Sequence, residues 1–360
     1  MSSIVYNAMV LREPYSGVEV TVHHLLCALI RHGTFPIRAY VPPQCRTLPQ
    51  SPRLDVRTPR MGNSRLLRIL WEQTCLPVLL RKVNAPLLHA PAYVASLAAP
   101  CPVVLTVHDL HALTHPQFCT TANRLHYAAL LPRSIRRAAA IIVFSDYTRR
   151  NIIRHFPEAA PRTAVIPPGI SPSFSRCTDD AHLRSVKAKY ALPDDFLLFV
   201  GDLSARKNIG GLLAAFAHIR KRHPDIRLVL AGSGAPIPQD HVHYTGYIEQ
   251  ADLPALYSLA QVFVFPSHDE GFGIPPLEAM ACGCPVVCSG GAPAENCGAA
   301  ALACDPNNPL TIAEATLALL DNPTLRHEKV IAGYSTAAAF SWKNAARATE
   351  DVYANVLGKR

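Results

Sequence analysis

The sequence predicts an α/β protein in which two domains are each built around a parallel sheet. The chain has 360 residues, which is long for one domain and suits two of ordinary size. Hydrophobic residues make up 49% of the chain, enough to fill two cores. Short apolar runs, each followed by a loop and a helical pattern, recur in both halves. This alternation is typical of the strand–helix units of a parallel sheet.

The first half is predicted to form the first of these domains. Apolar runs predict strands at residues 4–10, 37–41, 87–90, 103–107, 141–144 and 165–166, and helices at 18–31, 64–81 and 122–138. Pro77 predicts a kink or break in the second helix. Residues 171–180 are rich in Ser, Pro and Asp and are the best linker candidate. We therefore expect the first domain to span residues 1–172.

The second half repeats the pattern. Strands are predicted at residues 196–200, 227–231, 242–245, 262–265, 286–289 and 300–303, with helices at 209–222, 253–259, 277–282, 310–320 and 325–339. We expect this second domain to span residues 173–340. Residues 341–360 are predicted to form a separate terminal helix.

The stretch from Val262 to Ser289 carries the clearest chemical pattern. Its first strand is followed by a loop with Gly271 and Gly273, which let a ligand approach the backbone closely. Pro275 and Pro276 suit the start of the next helix, which points free N–H groups and the positive end of its dipole at the same place. We therefore predict an anion site here, most naturally for a phosphate.

Two acids flank this predicted phosphate site. Glu270 stands just before the glycine loop, and Glu278 follows in the first turns of the helix. A carboxylate cannot help to bind a phosphate, so each acid is expected to hold something else, and sugar hydroxyls are the obvious donors. The plain alternative is an ordinary strand–helix turn with two solvated acids.

With the sequence GFGIPPLEAMACGCPVV around them, these two acids resemble the E-x7-E signature of the retaining glycosyltransferases of family 4. The resemblance covers nearly the whole chain, strongly in the second half and loosely in the first. It implies a GT-B fold, with two Rossmann-like domains facing each other across a cleft and the terminal helix, residues 341–360, packing back on the first. It also implies that residues 1–172 bind the acceptor and residues 173–340 the nucleotide-sugar donor.

The resemblance assigns roles in the second domain. It implies that Glu270 contacts the transferred sugar, that Glu278 contacts the ribose, and that Arg206 and Lys207 clamp the diphosphate. Asp202 departs from the pattern, because many members carry an arginine directly after the preceding glycine. The remaining residues that the resemblance places around the donor are Gly271, Phe272, Gly273 and Ile274 in the glycine loop, and Tyr247 in a loop that resembles the one lining the nucleobase.

The first domain contributes two further candidates. Gly17 opens the first helix and His108 follows a buried strand, at the end where open parallel sheets place their ligands. Their plain interpretations are a turn glycine and a satisfied loop histidine. The resemblance implies a glycine loop at the reacting centre and a histidine that donates to the donor sugar, with Asp109 orienting it.

The implied catalytic residues are therefore His108, Lys207 and Glu270, with no protein nucleophile. Members of the family react on the front face of the donor, while fixed cations and N–H groups stabilise the leaving diphosphate. We accordingly expect no metal and no cofactor, and closure of the two domains to complete the site.

The donor and the acceptor are less well specified. The stretch SHDEGFGIPPLEAMACG resembles bacterial mannosyltransferases of surface polysaccharide assembly, so GDP-mannose is the first choice of donor and UDP-sugars are the second. A lipid-linked or growing glycan would suit the basic first domain as acceptor. Two alternatives stay open: a nucleotide-sugar 2-epimerase of the same fold, and a non-catalytic nucleotide-sugar-binding protein.

The formal net charge of +9 suits anionic partners. Basic residues are not interleaved with aromatics, which disfavours nucleic acid and leaves a solvated basic surface or contact with an anionic membrane. No apolar run is long enough to span a membrane, and the N-terminus lacks the basic region of a signal peptide. Eleven cysteines without framework spacing favour a reducing cytoplasm, with peripheral contact at the inner face of the cell membrane as the sharper expectation.

Overall fold

The computed structural model describes residues 3–13, 15, 17–46, 48–60, 62, 64–235 and 238–358. The chain divides into two compact units, the first comprising Met1–Gly169 with Ser341–Arg360 and the second Ile170–Phe340. Both are layered α/β structures in which the described strands run parallel.

The first unit alternates strands and helices in chain order. Its strands are β1 Ile4–Asn7, β2 Ile37–Tyr40, β3 Leu54–Arg57, β4 Leu88–Ala90, β5 Val103–Val107, β6 Ala140–Val143 and β7 Thr163–Val165. Its helices are α1 Gly17–His32, α2 Arg65–Lys82, the single turn α3 His111–Thr114, α4 Thr121–Arg137 and α5 Asp146–His155.

These strands form one parallel sheet in the order β3-β2-β1-β4-β5-β6-β7. All five residues of β5, with the sequence VVLTV, are buried, as expected for a strand covered by helices on both faces. The chain adds β2 and β3 on one side of β1 and the later strands on the other. The order therefore reverses between β1 and β4, and open α/β sheets bind their ligands at such a switch point.

The second unit follows the same plan. Its strands are β8 Phe196–Val200, β9 Arg227–Ala231, β10 Val242–Gly246, β11 Val262–Phe265, β12 Val286–Ser289 and β13 Ala301–Cys304, in the order β10-β9-β8-β11-β12-β13. Its helices are α6 Asp180–Lys189, α7 Ile209–Ile219, α8 Leu253–Leu259, α9 Ile274–Ala281, α10 Ala292–Cys297, α11 Pro309–Asp321 and α12 Pro323–Ala338. Here the order reverses between β8 and β11.

The last helix, α13 (Trp342–Gly358), belongs to the first unit and packs against α1. The carboxylate of Glu350 fixes it there, because Glu350 accepts hydrogen bonds from the backbone N–H groups of Thr34, at 2.6 Å, and Phe35, at 2.9 Å. The first unit ends at Gly169, three residues before the expected boundary at 172. A Cβ at Gly169 would lie 2.1 Å from the backbone nitrogen of Trp342, so the chain passes closely over the start of α13.

Some sequence predictions were wrong. Helix α2 continues through Pro77, so of the predicted kink or break the break does not occur. The edge strand β3 was missed, because its sequence LDVR is half charged and only partly buried. The buried cysteines include Cys27, Cys282 and Cys288. No helix among the described residues is both long and apolar enough to cross a membrane.

Candidate active site

Two loops meet at the switch point of the second unit. One follows β8 and the other follows β11, and Asn208 joins them, since its Nδ2 donates to the carbonyl of Pro266 at 3.1 Å. Asn208 adopts the left-handed conformation with φ 57°, and its Oδ1 accepts from the N–H of Gly211 at the start of α7. The backbone N–H of His268 donates to the carbonyl of Arg206 at 2.9 Å. These bonds fix the two loops against each other.

Three predicted site residues converge where the loops meet. Lys207 Nζ lies 2.6 Å from Glu270 Oε1, and Arg206 Nη1 lies 2.7 Å from the same oxygen. The side chains of Lys207 and Glu270 are only 8% and 13% exposed. The Lys207 ammonium also lies over the Phe265 ring, 4.7 Å from its centroid. This is a compact, nearly buried cluster with two cations and one carboxylate.

The cluster keeps Glu270 ionised. Burial alone would raise its pKa, but the positive charges of Lys207 and Arg206 and their hydrogen bonds outweigh burial and lower the pKa of Glu270 to about 2. Near neutral pH Glu270 therefore carries a full negative charge and accepts hydrogen bonds.

The glycine loop beyond Glu270 is rigidly placed. Gly273 has φ 89°, a conformation that L side chains rarely adopt, and a Cβ there would lie 3.0 Å from Pro293. The carbonyl of Phe272 accepts a hydrogen bond of 2.7 Å from Asn296 Nδ2 on α10. Helix α9 begins at Ile274, so the loop ends directly at its N-terminus.

The prediction that this helix points several free N–H groups at a phosphate needs correction. Of the first three residues of α9, Ile274 alone carries an N–H group, because Pro275 and Pro276 follow it. An anion here would meet the Ile274 N–H and the positive end of the helix dipole, which make a weaker site than predicted. The Lys207–Arg206 pair must therefore contribute more of the positive charge.

Glu278 lies on α9 in a different environment. The hydroxyl of Tyr257 donates to its Oε2 at 3.2 Å. Burial raises the pKa of Glu278 to about 7, although the Tyr257 hydrogen bond opposes the shift. The two acids of the signature thus differ in charge state, since Glu270 stays ionised while Glu278 titrates near neutrality.

Tyr247 lies just beyond the edge strand β10, and its side chain is 59% exposed. Strand β9 separates β10 from β8, so Tyr247 is two strands away from the switch point within this sheet. Its assignment to the nucleobase remains a prediction.

In the first unit, His108 is buried at the end of β5. Its Nε2 lies 2.8 Å from the carbonyl of Pro91, which can only accept, so Nε2 carries the hydrogen. Burial lowers the pKa of His108, which favours the neutral ring. The one N–H of that ring is used on Pro91, and Nδ1 can only accept. The predicted donation through the side chain is therefore wrong for this geometry.

Asp109 acts on His108 indirectly. Its Oδ2 accepts from the hydroxyl of Tyr93 at 2.6 Å, and the Tyr93 ring stacks on His108 with 5.0 Å between centroids. Gly17 starts α1, and a Cβ there would meet nothing within 4 Å. Packing does not require a glycine at this position, which is consistent with room for a ligand.

Sequence reasoning missed three contributors. Asn208 was assigned only to a loop, Tyr257 only to a helix, and Tyr93 was not singled out. Tyr93 has φ 65°, which is uncommon for a large side chain and could not be inferred from the sequence. Asn208 offered a signal, because asparagine tolerates the left-handed conformation and caps helices well.

The fold is of the GT-B type. Over the full lengths of both chains, the structure resembles the sucrose-phosphate synthase of Thermosynechococcus elongatus, with a TM-score of 0.78 and 20% identity. It also resembles the Anabaena protein HepE in complex with UDP and glucose, with a TM-score of 0.75 and 17% identity over 98% of this chain and 100% of that one.

The chain belongs to glycosyltransferase family 4. The family model described as Glycosyltransferase Family 4 matches residues 15–174, and the model described as Glycosyl transferases group 1 matches residues 185–336. The O-antigen chain mannosyltransferase B of Escherichia coli is 33% identical over 267 residues, which cover 69% of each chain. The predicted family and fold are confirmed.

Proposed function

We propose that this enzyme transfers a mannosyl group from GDP-mannose to an acceptor hydroxyl of a growing or lipid-linked glycan, with retention of anomeric configuration. The observation that carries the proposal is the Lys207–Arg206–Glu270 cluster at the switch point. The similarity to a mannosyltransferase supports mannose, whereas the likeness to a protein solved with UDP and glucose keeps UDP-sugars as the second choice.

In this proposal the second unit binds the donor. Lys207 and Arg206 hold the diphosphate, while the ionised Glu270 accepts hydrogen bonds from hydroxyls of the transferred sugar. The bond between the anomeric carbon and the leaving phosphate oxygen breaks, and the acceptor oxygen bonds to the same face. The proton of the acceptor passes to the leaving phosphate. Fixed cations stabilise the diphosphate charge as it develops, so no metal is required.

The first unit is proposed to bind the acceptor. Its neutral His108 accepts a hydrogen bond at Nδ1 from a sugar hydroxyl, because Nε2 already donates to the carbonyl of Pro91. The stack of Tyr93 on the ring and the hydrogen bond from Tyr93 to Asp109 hold His108 in this orientation.

The function is tested by incubating the purified chain with radiolabelled GDP-mannose, UDP-glucose and UDP-N-acetylglucosamine, each with glycan acceptors and each with or without EDTA. We expect transfer from GDP-mannose that EDTA does not abolish, and NMR of the product should show the α configuration of the donor. Epimerised nucleotide sugar, binding without turnover, inversion of configuration, or strict dependence on Mg²⁺ or Mn²⁺ would each contradict the proposal.

Glu278 is proposed to accept hydrogen bonds from the ribose. The substitution Glu278→Gln should therefore change both the stability of the ligand-free protein and its affinity for GDP. The folded-state pKa of about 7 lies above the usual glutamate value, so the protonated form stabilises the fold. This stability is fully present below about pH 4.5 and is lost as pH rises through 7. At pH 8 the ligand-free variant should therefore be more stable than the parent, by on the order of 3 kcal/mol, with no difference near pH 4.

The same substitution should weaken GDP binding by roughly 1–3 kcal/mol, because an amide is a poorer partner for ribose hydroxyls than a carboxylate. Urea unfolding and calorimetry measure the two effects. Glu314→Gln, at an exposed glutamate on α11, should change neither. Unchanged GDP affinity would remove the ribose assignment, and equal stability at pH 8 would contradict the buried environment of Glu278.

We also propose that α2 contacts an anionic membrane. The side chains of Leu66 and Leu70 are 65% and 50% exposed on one side of this helix, and Val78 continues the exposed stripe. Exposed Arg81 and Lys82 follow in the last turn. Apolar and basic side chains exposed on one helix suit the interface of an anionic bilayer.

Flotation with phosphatidylglycerol-containing vesicles tests this contact. Binding should fall about tenfold or more when Leu66 and Leu70 are both changed to glutamine, because two inserted leucines are lost. The matched control changes the exposed Leu310 and Ile331 of the second unit to glutamine and should bind like the parent. Equal loss in both double variants, or binding to neutral vesicles alone, would contradict a specific role for α2.

A further inference from the structure

The first unit contains a cavity of about 260 Å³ that the donor chemistry does not use. It lies at the switch point between β1 and β4, where this sheet is expected to bind a ligand. Asn7 at the end of β1 and Tyr93 after β4 line one side, and the first two turns of α2 line another. Like the candidate site of the second unit, this cavity therefore lies where segments after two neighbouring parallel strands meet.

Two arginines on α2 make one side of the cavity positively charged. Arg65 and Arg68 are three residues apart, so they lie on one face of the helix. Arg65 Nη2 and Arg68 Nε are both shielded from solvent, and within the described part of the chain neither atom has a hydrogen-bond partner. A shielded guanidinium N–H without an acceptor is costly, so both atoms are suited to an anionic ligand.

The surrounding charges favour an anion that is also rich in hydroxyls. Arg12 is a third guanidinium in the lining, while Glu19 and Glu72 bring two carboxylates, so the cations exceed the fixed anions by one. Burial, together with the charges of Arg65 and Arg68, lowers the pKa of the nearby His126 to about 4, so it adds no positive charge at neutral pH.

The carboxylate of Glu72 forms an ion pair with Arg68 but no hydrogen bond to it, so the shielded Arg68 Nε still lacks an acceptor. Its Oε1 accepts from Asn7 Nδ2 at 3.1 Å and lies 4.0 Å from Arg68 Nε, beyond hydrogen-bond distance. Burial raises the pKa of Glu72, although Arg68 and the Asn7 hydrogen bond oppose the shift. Glu72 is thus placed to accept hydrogen bonds from sugar hydroxyls beside an anion-binding face.

We propose that this cavity binds the acceptor, and that the acceptor is a sugar carrying a phosphoryl group. Arg65 and Arg68 bind the phosphoryl oxygens, and Glu19 and Glu72 accept hydrogen bonds from hydroxyls of the sugar. The inference rests on the proposed function, since it names the acceptor class of that reaction. The same chemistry is found in a free sugar phosphate and in a sugar joined to a lipid through phosphate.

The test is calorimetry on the full chain without donor, so that binding is measured independently of transfer. The probes are mannose 1-phosphate, inorganic phosphate, mannose and glucuronate. We expect mannose 1-phosphate to bind, inorganic phosphate to bind more weakly, and mannose and glucuronate to show no measurable binding. Arg65→Ala and Arg68→Ala should each weaken mannose 1-phosphate binding about 10- to 100-fold, the scale of a lost charge-assisted hydrogen bond.

Controls separate this site from the fold and from the donor. Arg133→Ala, at an exposed arginine of α4, should bind mannose 1-phosphate like the parent, and Arg68→Lys should retain part of the affinity because it keeps the charge. GDP affinity should be unchanged in every variant. If transfer fails while mannose 1-phosphate binds with this arginine dependence, the proposed function is wrong and the anion site stands.

A polyprenyl-phosphate sugar in mixed micelles distinguishes the two sources. Tighter binding than mannose 1-phosphate, lost equally in Arg68→Ala, identifies the lipid-linked form, whereas equal affinity identifies the free form. The proposal is overturned if neither phosphorylated probe binds, if mannose or glucuronate binds as well as mannose 1-phosphate, or if the two alanine variants bind like the parent.

Discussion

Replacing Lys207 with alanine is expected to lower kcat about 10²–10³-fold while the donor KM changes much less. A leaving diphosphate gains negative charge in the transition state, so a cation that stabilises it contributes more there than in the ground state. Lys207 is suited to this role because it is nearly buried and is held 2.6 Å from Glu270 Oε1. Its charge is therefore positioned before the reaction begins.

The effect should be specific to this lysine. Lys221→Ala, at an exposed lysine just beyond the end of α7, should keep parental kinetics and is the matched control. The loop after β8 carries Asp202, which adds a negative charge and no further cation, so Lys207 must supply more of the stabilisation. Steady-state kinetics with GDP-mannose and with UDP-glucose measure both variants. Near-normal turnover in Lys207→Ala would place the diphosphate elsewhere.

The meeting of Lys207 and Glu270 could be predicted because it follows from topology. In a parallel sheet, the loops after neighbouring strands meet at the same edge. Strands β8 and β11 are neighbours in the sheet, although 61 residues, 201–261, lie between them in the sequence. Glycines, apolar runs and charged residues indicate the positions of these two loops in the sequence. The sheet order alone is then enough to predict that the loop carrying Lys207 meets the loop carrying Glu270.

The orientation of His108 could not be predicted in the same way. Its hydrogen bond to the carbonyl of Pro91 and its stacking on Tyr93 depend on a left-handed tyrosine in a loop between two strands. No periodicity or spacing specifies such a loop. The residue type and its place at the end of β5 were predictable, whereas the direction of its one N–H was not.

The cavity lined by Arg65 and Arg68 could be predicted from the sequence only in part. Arg65, Arg68 and Glu72 follow a spacing of three and four residues, which predicts one helix face. That spacing alone does not distinguish a ligand site from an exposed charged face. Their convergence with Asn7 depends on how α2 packs over the end of β1, and that packing is a tertiary property that helix periodicity does not contain.

Removing Glu270 is expected to have the largest effect on stability. Glu270→Ala should lower the free energy of unfolding by about 3–5 kcal/mol, because it leaves the nearly buried Lys207 without its partner carboxylate. The folded-state pKa of about 2 lies below the usual glutamate value, so the ionised form stabilises the fold. That stability is present above about pH 4.5 and is lost as pH falls toward 2, so the difference between variant and parent should shrink on acidification.

Urea unfolding at pH 7 and pH 3 measures this difference, with Asp194→Ala as the control. Asp194 pairs with Lys187 at the surface, where water screens the ion pair, so removing this carboxylate should change stability little. The double variant Lys207→Met with Glu270→Leu should regain most of the lost stability, since apolar residues of similar size can replace a buried pair. It should nevertheless remain inactive, because the cation and the acceptor for sugar hydroxyls are both gone. A double variant as unstable as Glu270→Ala would show that Glu270 stabilises the fold through other contacts, and the cluster would then be a weaker anchor for the two loops than its distances indicate.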